Sequence, residues 1–321
     1  MNVGEDIEAR EIEVDAATDA GHDSTLGDDH STYTESLRSS LLQSVHENGR
    51  GYHKYRDGAY ILPEDEREQE RLDMQHEMML RAMHNRLSLV PADQSTFTHV
   101  LDLGTGTGIW AIDYADQHPS AEVLGIDLSA IQPDYVPPNC KFEIDDFDSD
   151  WTFKQHFDLI HGRMMVTSMT DPQTLFHKAY EQLKPGGWLE MQDLMMPIIS
   201  DDGTMNKHTA WYKWNELFMQ AVLMMGRDVR WACQYKQWMI ETGFEHVEEQ
   251  IFKIPINSWP KDKFLKDLGA FNLINMLEGL EGFTNRLFNK VLGMSLHEIE
   301  VLLIEVRKDL HNRKIHSYWP V

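Results

Sequence analysis

Three glycines stand at every second position in the stretch LDLGTGTGIW, residues 101–110. Glycine loses more conformational freedom on folding than any other residue, so a cluster marks a backbone that turns tightly or closely approaches something. Acids surround the cluster: Asp102 two residues ahead of Gly104, Asp127 in LGIDLS, and Asp146 in FEIDDFDSDW, where Phe147 follows. A carboxylate placed as Asp127 is, at a strand end beyond a glycine loop and followed by Leu128, can accept both hydroxyl protons of a ribose. Spacing sorts the loop types. A phosphate-cradling nucleotide loop needs G-x-x-x-x-G-K-[ST], and the chain has no Gly-Lys pair. A dinucleotide loop needs G-x-G-x-x-G, whose third glycine would fall on Ile109. The pattern present is G-x-G-x-G, formed by Gly104, Gly106 and Gly108 with Thr105 inside it.

Groups able to move a proton lie further on. His161 and Arg163 stand in FDLIHGRMM, just after a fourth apolar run, and Asp193 ends a fifth in GWLEMQDL. A histidine there can serve as a base near neutral pH. The 16 histidines and 2 cysteines form no H-E-x-x-H or paired Cys/His spacing, so no metal is expected.

The elements that must position these groups follow from periodicity. Short apolar runs at 99–104, 122–128, 140–144, 157–162 and 187–194 alternate with amphipathic stretches such as 108–117 and 171–183. Strands alternating with helices imply βαβ units and a parallel sheet covered on both faces, an α/β fold. The glycines then fall where the first strand meets the first helix, the point at which such a sheet opens its ligand crevice. Pro185-Gly186-Gly187 turns the chain from a helix into the fifth strand.

Ahead of the sheet, SLRSSLLQSVHENG has helical spacing in Leu37, Leu41, Leu42 and Val45 and stops at Gly49. A Tyr-rich loop holding Tyr52, Tyr55 and Tyr60 follows, then a helix expected over about 64–89 with Leu72, Gln75, Met79 and Met83 along one side. After the fifth strand, two helical stretches over 207–242 carry Trp211, Trp214, Trp231 and Trp238 among several methionines, and FEHVEEQIFKIPI reads as a sixth strand. Met and Trp together can build an adaptable apolar wall. The capping box SLHE opens a last helix, 295–312.

Composition sets the outer limits. The 321 residues can bury a sizeable core, and the net charge of -24 argues against a nucleic-acid surface. Residues 1–35 hold eleven acids and a single base, Arg10, with few apolar side chains, so disorder is expected there. No apolar run is long enough for a membrane span, and the N-terminus lacks a secretory pattern. Two cysteines make no disulfide framework, which suits a reducing, cytoplasmic or nuclear compartment.

The loop G-x-G-x-G with Asp102 ahead of it resembles the first motif of class I S-adenosylmethionine-dependent methyltransferases. Larger blocks resemble one branch of that class more closely: HENGRGYHKYRDGAYILPEDEREQERLDMQHEMM, LDLGTGTGIWAIDYADQHPSAEVLGIDLSAIQP, FDLIHGRMM and LKPGGWLEMQD. Together these blocks look like the fungal LaeA-like methyltransferases, including UMTA-type enzymes of secondary-metabolite gene clusters, from about His46 to Pro320. The resemblance implies a mostly parallel, seven-stranded Rossmann-like sheet over 96–321, with substrate-side insertions at about 195–243 and 260–312. It also implies a helical cap over 36–95 that closes on S-adenosyl-L-methionine, with Tyr52 near its methionine end. By the same resemblance, Asp102, Gly104, Thr105, Gly106, Gly108, Asp127, Leu128, Asp146 and Phe147 would hold the cofactor. The activity implied is methylation of a hydroxyl, carboxyl or amine of a small molecule. The family's other implication is a regulatory protein with a protein partner in a nuclear complex. KIHSYWPV reads as the seventh strand, expected between the fifth and sixth.

Overall fold

The computed structural model describes residues 44–47, 50–53 and 62–321. The expected disorder over 1–35 and the start of the first expected helix lie outside the described residues. Where that helix was to end, the chain forms strand β1 (Ser44–Glu47), paired antiparallel with β2 (Arg50–His53) at the start of the expected Tyr-rich loop, with Glu47 opposite Arg50. The physical reason is legible: Asn48-Gly49 lies between the paired residues, and Asn-Gly is the dipeptide that two-residue hairpin loops favour.

Helix α1 (Glu66–Ala82) is shorter than its hydrophobic pattern. The Asp65 side chain caps its first turn by accepting from the Glu68 N–H. It ends where His84 and Asn85 take left-handed backbone angles, φ 56° and 61°, well before Pro91. Met78, Met79, Ala82 and Met83 face inward from it.

Strands β3 (His99–Leu103), β4 (Glu122–Asp127), β5 (Cys140–Ile144), β6 (Phe157–Arg163) and β7 (Leu183–Gln192) make one parallel sheet in the order β5-β4-β3-β6-β7. Helices α2 (Ile109–Gln117) and α3 (Pro172–Gln182) are the crossovers. The order reverses between β3 and β6, which puts a ligand crevice above their C-terminal ends. Alternate residues bury opposite faces: Val100 packs with Trp110 and Tyr114 of α2, while Leu101 and Leu103 pack with Ile160, Leu175 and Phe176 of the other layer. Strand β7 begins earlier than Gly187, because Leu183 already pairs with Phe157 before a register shift carries the chain past Pro185 and Gly186.

Beyond the sheet come α4 (Ala210–Met224), α5 (Tyr235–Thr242), α6 (Lys263–Lys290) and α7 (Leu296–His311). The expected capping box on α7 is formed by Ser295 and Glu298. Trp211, Trp214 and Phe218 stack in sequence along α4, with ring centroids 4.9 and 5.0 Å apart, against Leu280, Leu287 and Phe288 of α6. Most of the Trp pattern is therefore core.

The seven-stranded sheet is corrected to five strands among the described residues. Strand β8 (Lys253–Pro255) and β9 (Tyr318–Pro320) pair with each other in a separate antiparallel ribbon. Pro320 has no N–H to give a sheet neighbour, and its carbonyl accepts from the Met195 N–H just beyond β7. The sixth strand is also shorter than FEHVEEQIFKIPI suggested, since only Lys253, Ile254 and Pro255 of it form the ladder.

Candidate functional site

The glycine loop sits where β3 meets α2. Gly104, Gly106 and Gly108 have φ of 59°, 59° and 82°, a region that side-chain-bearing residues rarely enter. A Cβ on Gly108 would lie 2.4 Å from the Phe142 ring, whereas one on Gly106 would meet nothing nearer than Leu72 of α1, at 3.7 Å. The backbone at Gly106 is thus laid open toward the space beneath α1.

Below the loop, Asp102 and His161 are side by side on adjacent strands. Asp102 accepts from His161 Nδ1 at 2.7 Å and from Thr105 Oγ1 at 2.5 Å, so its carboxylate ties strand to loop. His161 is wholly buried, its ring stacked on Trp110 with centroids 3.6 Å apart, and its Nε2 has no partner among the described residues. This places it within β6 rather than after it, facing α2 and not the main cavity. The alternation of a strand accounts for that: His161 shares the face of Asp102.

Asp127 closes β4. Its oxygens accept from the N–H groups of Gly106 and Ser129, each at 2.9 Å, which fixes the carboxylate at the crevice edge. Asp146, buried after β5, accepts from Asp148 N and Ser149 Oγ and stands beside the buried Phe147.

One cavity joins Gly104, Gly106, Asp127 and Asp146, whereas Asp102, Thr105, Gly108 and His161 do not line it. It is lined by Gly104, Gly106, Asp127, Leu128, Asp146, Phe147, Arg163 and Asp193 on the sheet side. Leu62, Leu72 and Gln75 from the α1 region, with Trp214 and Phe218 of α4, Phe283 of α6 and Trp319 of β9, complete its wall. Sequence alone brought the first set together; Phe283, Trp319 and Arg227 carry no motif that marks them. Tyr52, expected at the cavity, does not line it. Its ring packs under the Arg286 guanidinium, 4.6 Å from centroid to carbon, because the hairpin holding it turns toward α6.

Electrostatics distinguish the remaining candidates. Asp193 is enclosed by protein, and burial pushes its carboxyl up to about 7 despite bonds donated by Tyr235 Oη and the Met165 N–H, both at 3.0 Å. The Arg163 guanidinium is pushed down to about 10 by burial, still cationic at neutral pH. Its Nη2 donates to His76 Nδ1 at 2.8 Å, and His76 Nε2 in turn donates to Asp113 at 2.9 Å. Among the described residues, Nη1 of Arg163 is shut off from solvent without a partner. An orphaned donor beside an open glycine backbone suits a ligand that brings a carboxylate, as the amino-acid end of S-adenosylmethionine does. Among the described residues no three His, Cys, Asp or Glu side chains gather as a metal site would require, and no helix is long and apolar enough to cross a membrane.

Comparison with known proteins agrees with this geometry. Residues 74–250 match the family described as methyltransferase domain. Methyltransferase pytC of Aspergillus terreus is 40% identical over 283 residues, 88% of this chain and 87% of that protein. The secondary metabolism regulator LAE1 of Cochliobolus heterostrophus is 37% identical over 85% of this chain and 91% of its own length. The probable methyltransferase tdiE of Emericella nidulans is 35% identical over 79% of this chain and 80% of its own. With both the family match and relatives this extensive, the chain belongs to the LaeA-like class I methyltransferases, whose methyl donor is S-adenosylmethionine.

Proposed function

We propose that the chain methylates a mostly apolar small molecule, as an enzyme of fungal secondary metabolism. The observation that carries this reading is the single cavity running from the glycine loop and Asp127 to an aromatic wall of Trp214, Phe218, Phe283 and Trp319. An apolar pocket excludes water and strengthens the few polar contacts that orient an acceptor. Relatives named as methyltransferases, pytC and tdiE, support the same reading.

Bound S-adenosylmethionine supplies a methyl group already activated on a sulfonium. The chain's own work is then orientation and proton removal. Gly104, Thr105, Gly106 and Gly108 present the loop backbone, with Asp102 holding it from below. Asp127 with Leu128 takes the ribose, Asp146 with Phe147 the adenine, and Arg163 the carboxylate. Asp193 is the group suited to receive a proton from an acceptor hydroxyl or ammonium, because it lines the cavity and titrates near neutrality. His161 is too enclosed for that task and serves with Asp102 in holding the loop. The test is incubation of the protein with labelled S-adenosylmethionine and fungal extract: label enters organic-soluble metabolites. Label recovered only in protein would overturn the reading.

A second reading has a specific observation behind it. A relative from Emericella nidulans, 34% identical over 88% of this chain, is named protein-methionine methyltransferase laeA. Met164 and Met165 line this cavity, Met164 with an unfavourable φ of 57°. A regulatory protein that methylates methionine would gain one methyl mass on such a side chain when given S-adenosylmethionine alone, which intact mass spectrometry reads directly.

A further inference from the structure

Three guanidinium groups line the cavity, and they differ in how they are held. Arg71 is ion-paired to Glu68 at 2.7 Å and donates to Asn275. Arg163 donates to His76. Arg227 has neither arrangement. Among the described residues its side chain makes no hydrogen bond and has no carboxylate oxygen within 4.0 Å, and its Nε is closed off from solvent without an acceptor. The residue is only 7% exposed. Gly226, at φ 79°, ends α4 and turns the chain so that Arg227 lies on the cavity wall with Phe218 and Val229. The charge that acts on it most is Asp148, beyond ion-pair distance and itself accepting from the Thr170 N–H at 3.2 Å.

A buried cation without a counter-charge opposes folding, and a ligand cavity is where an incoming anion can offset that penalty. The cofactor does not account for it. Its one carboxylate belongs to the amino-acid end, which Arg163 meets beside the glycine loop. Arg227 stands instead on the part of the wall that holds Phe218 and Val229, with Asp148 the charge that acts on it.

We infer that the methyl acceptor is an organic acid, an apolar molecule carrying a carboxylate or an acidic enol or phenol, and that Arg227 recognises this anionic group. A guanidinium presents paired N–H donors that match two oxygens of such a group, so Arg227 sets specificity for the acceptor. The inference rests on the small-molecule reading above.

The probes are 2-naphthoate and its neutral counterpart 2-naphthamide, titrated calorimetrically into the full chain saturated with S-adenosylhomocysteine. The acid should bind at least tenfold more tightly than the amide. Arg227→Gln should abolish that preference, Arg227→Lys should keep part of it, and amide affinity should stay level across all three proteins. S-adenosylhomocysteine affinity should remain within twofold throughout, which also reports folding. Equal binding of acid and amide by the unaltered protein, binding of neither, or a preference surviving in Arg227→Gln overturns the inference. A large loss of S-adenosylhomocysteine affinity in a folded Arg227→Gln protein does so too, by assigning Arg227 to the cofactor. Should Arg227→Gln fail to fold, the unaltered protein and Arg227→Lys still decide. An acid preference without label in any metabolite would sink the methylation reading and leave the anion site standing.

Discussion

At the scale of single residues, Asp193 and Asp127 are both carboxylates at strand ends, yet their surroundings differ: Asp193 is enclosed by protein, while Asp127 is held by two backbone N–H groups at the crevice edge. Burial pushes Asp193 up to about 7, so its folded-state proton is held far longer than in an unfolded chain, where the carboxyl ionises near 3.8. Between those values the folded state binds more protons, so this group's contribution to stability falls as pH rises, by on the order of 4 kcal/mol in total. Asp193→Asn should therefore become progressively more favourable relative to the unaltered protein between pH 5 and pH 8, as melting temperatures across that range would show. A difference independent of pH would place the Asp193 titration elsewhere. Its catalytic consequence has the other sign: the base form appears above about 7, so kcat should rise with pH through that value and fall roughly a hundredfold in Asp193→Asn. For Asp127, Asp127→Leu removes an acceptor that two backbone N–H groups also share, and S-adenosylhomocysteine affinity should weaken by about 2–4 kcal/mol. Unchanged calorimetric affinity would dismiss the ribose assignment. Spacing could reveal Asp127, because a carboxylate at a strand end after a glycine loop is a local pattern. The interior position of His161 was hidden for the opposite reason, since facing inward or outward depends on which strand lies beside it.

At the scale of elements, α1 is the piece that makes the crevice a cavity. It is joined to α6 by Arg71, buried between Glu68 and Asn275, and to the glycine loop by Asp73, which accepts from Thr107 Oγ1 at 2.6 Å. Glu68 is itself only 1% exposed, so Arg71→Met would leave a buried carboxylate with one counter-charge fewer. That change should cost about 3–5 kcal/mol of stability, read as a lowered denaturant midpoint. A loss below 1 kcal/mol would mean that Arg50, whose Nη2 lies 3.7 Å from Glu68, suffices alone. The periodicity of Gln75, Met79 and Met83 was enough to place this helix, and alternating apolar runs placed β3 to β7. What misled was short range. Val45 fitted a helical spacing while Asn48-Gly49 favoured a hairpin, and the stretch FEHVEEQIF before β8 lacked a partner strand along most of its length. Pairing is a long-range property, and a local window contains none of it.

At the scale of the whole molecule, the cavity has two walls from distant parts of the chain, the sheet ends on one side and α1 with α4 and α6 on the other. Among the described residues the polar ties between the walls include Asp73 to Thr107, Glu64 to Ser129 Oγ at 2.9 Å, and His76 to Arg163 at 2.8 Å. A wall held this way should open locally at lower free energy than the sheet beneath it. Any ligand that touches both walls must then tighten both, stabilising the folded state by an amount that grows with the logarithm of its concentration over its dissociation constant. S-adenosylhomocysteine alone should therefore slow amide hydrogen exchange in two separate segments, the loop at 104–108 and the helix at 66–82, while leaving α7 unchanged. Leu72 and Gln75 are the reason to expect the second segment, because they line the same cavity as Asp127. Slowing confined to the loop would show that α1 merely packs beside the site. In that case the aromatic wall contributed by α4 and α6 would also lose its claim to enclose an acceptor, since α1 is the element that connects it to the glycine loop.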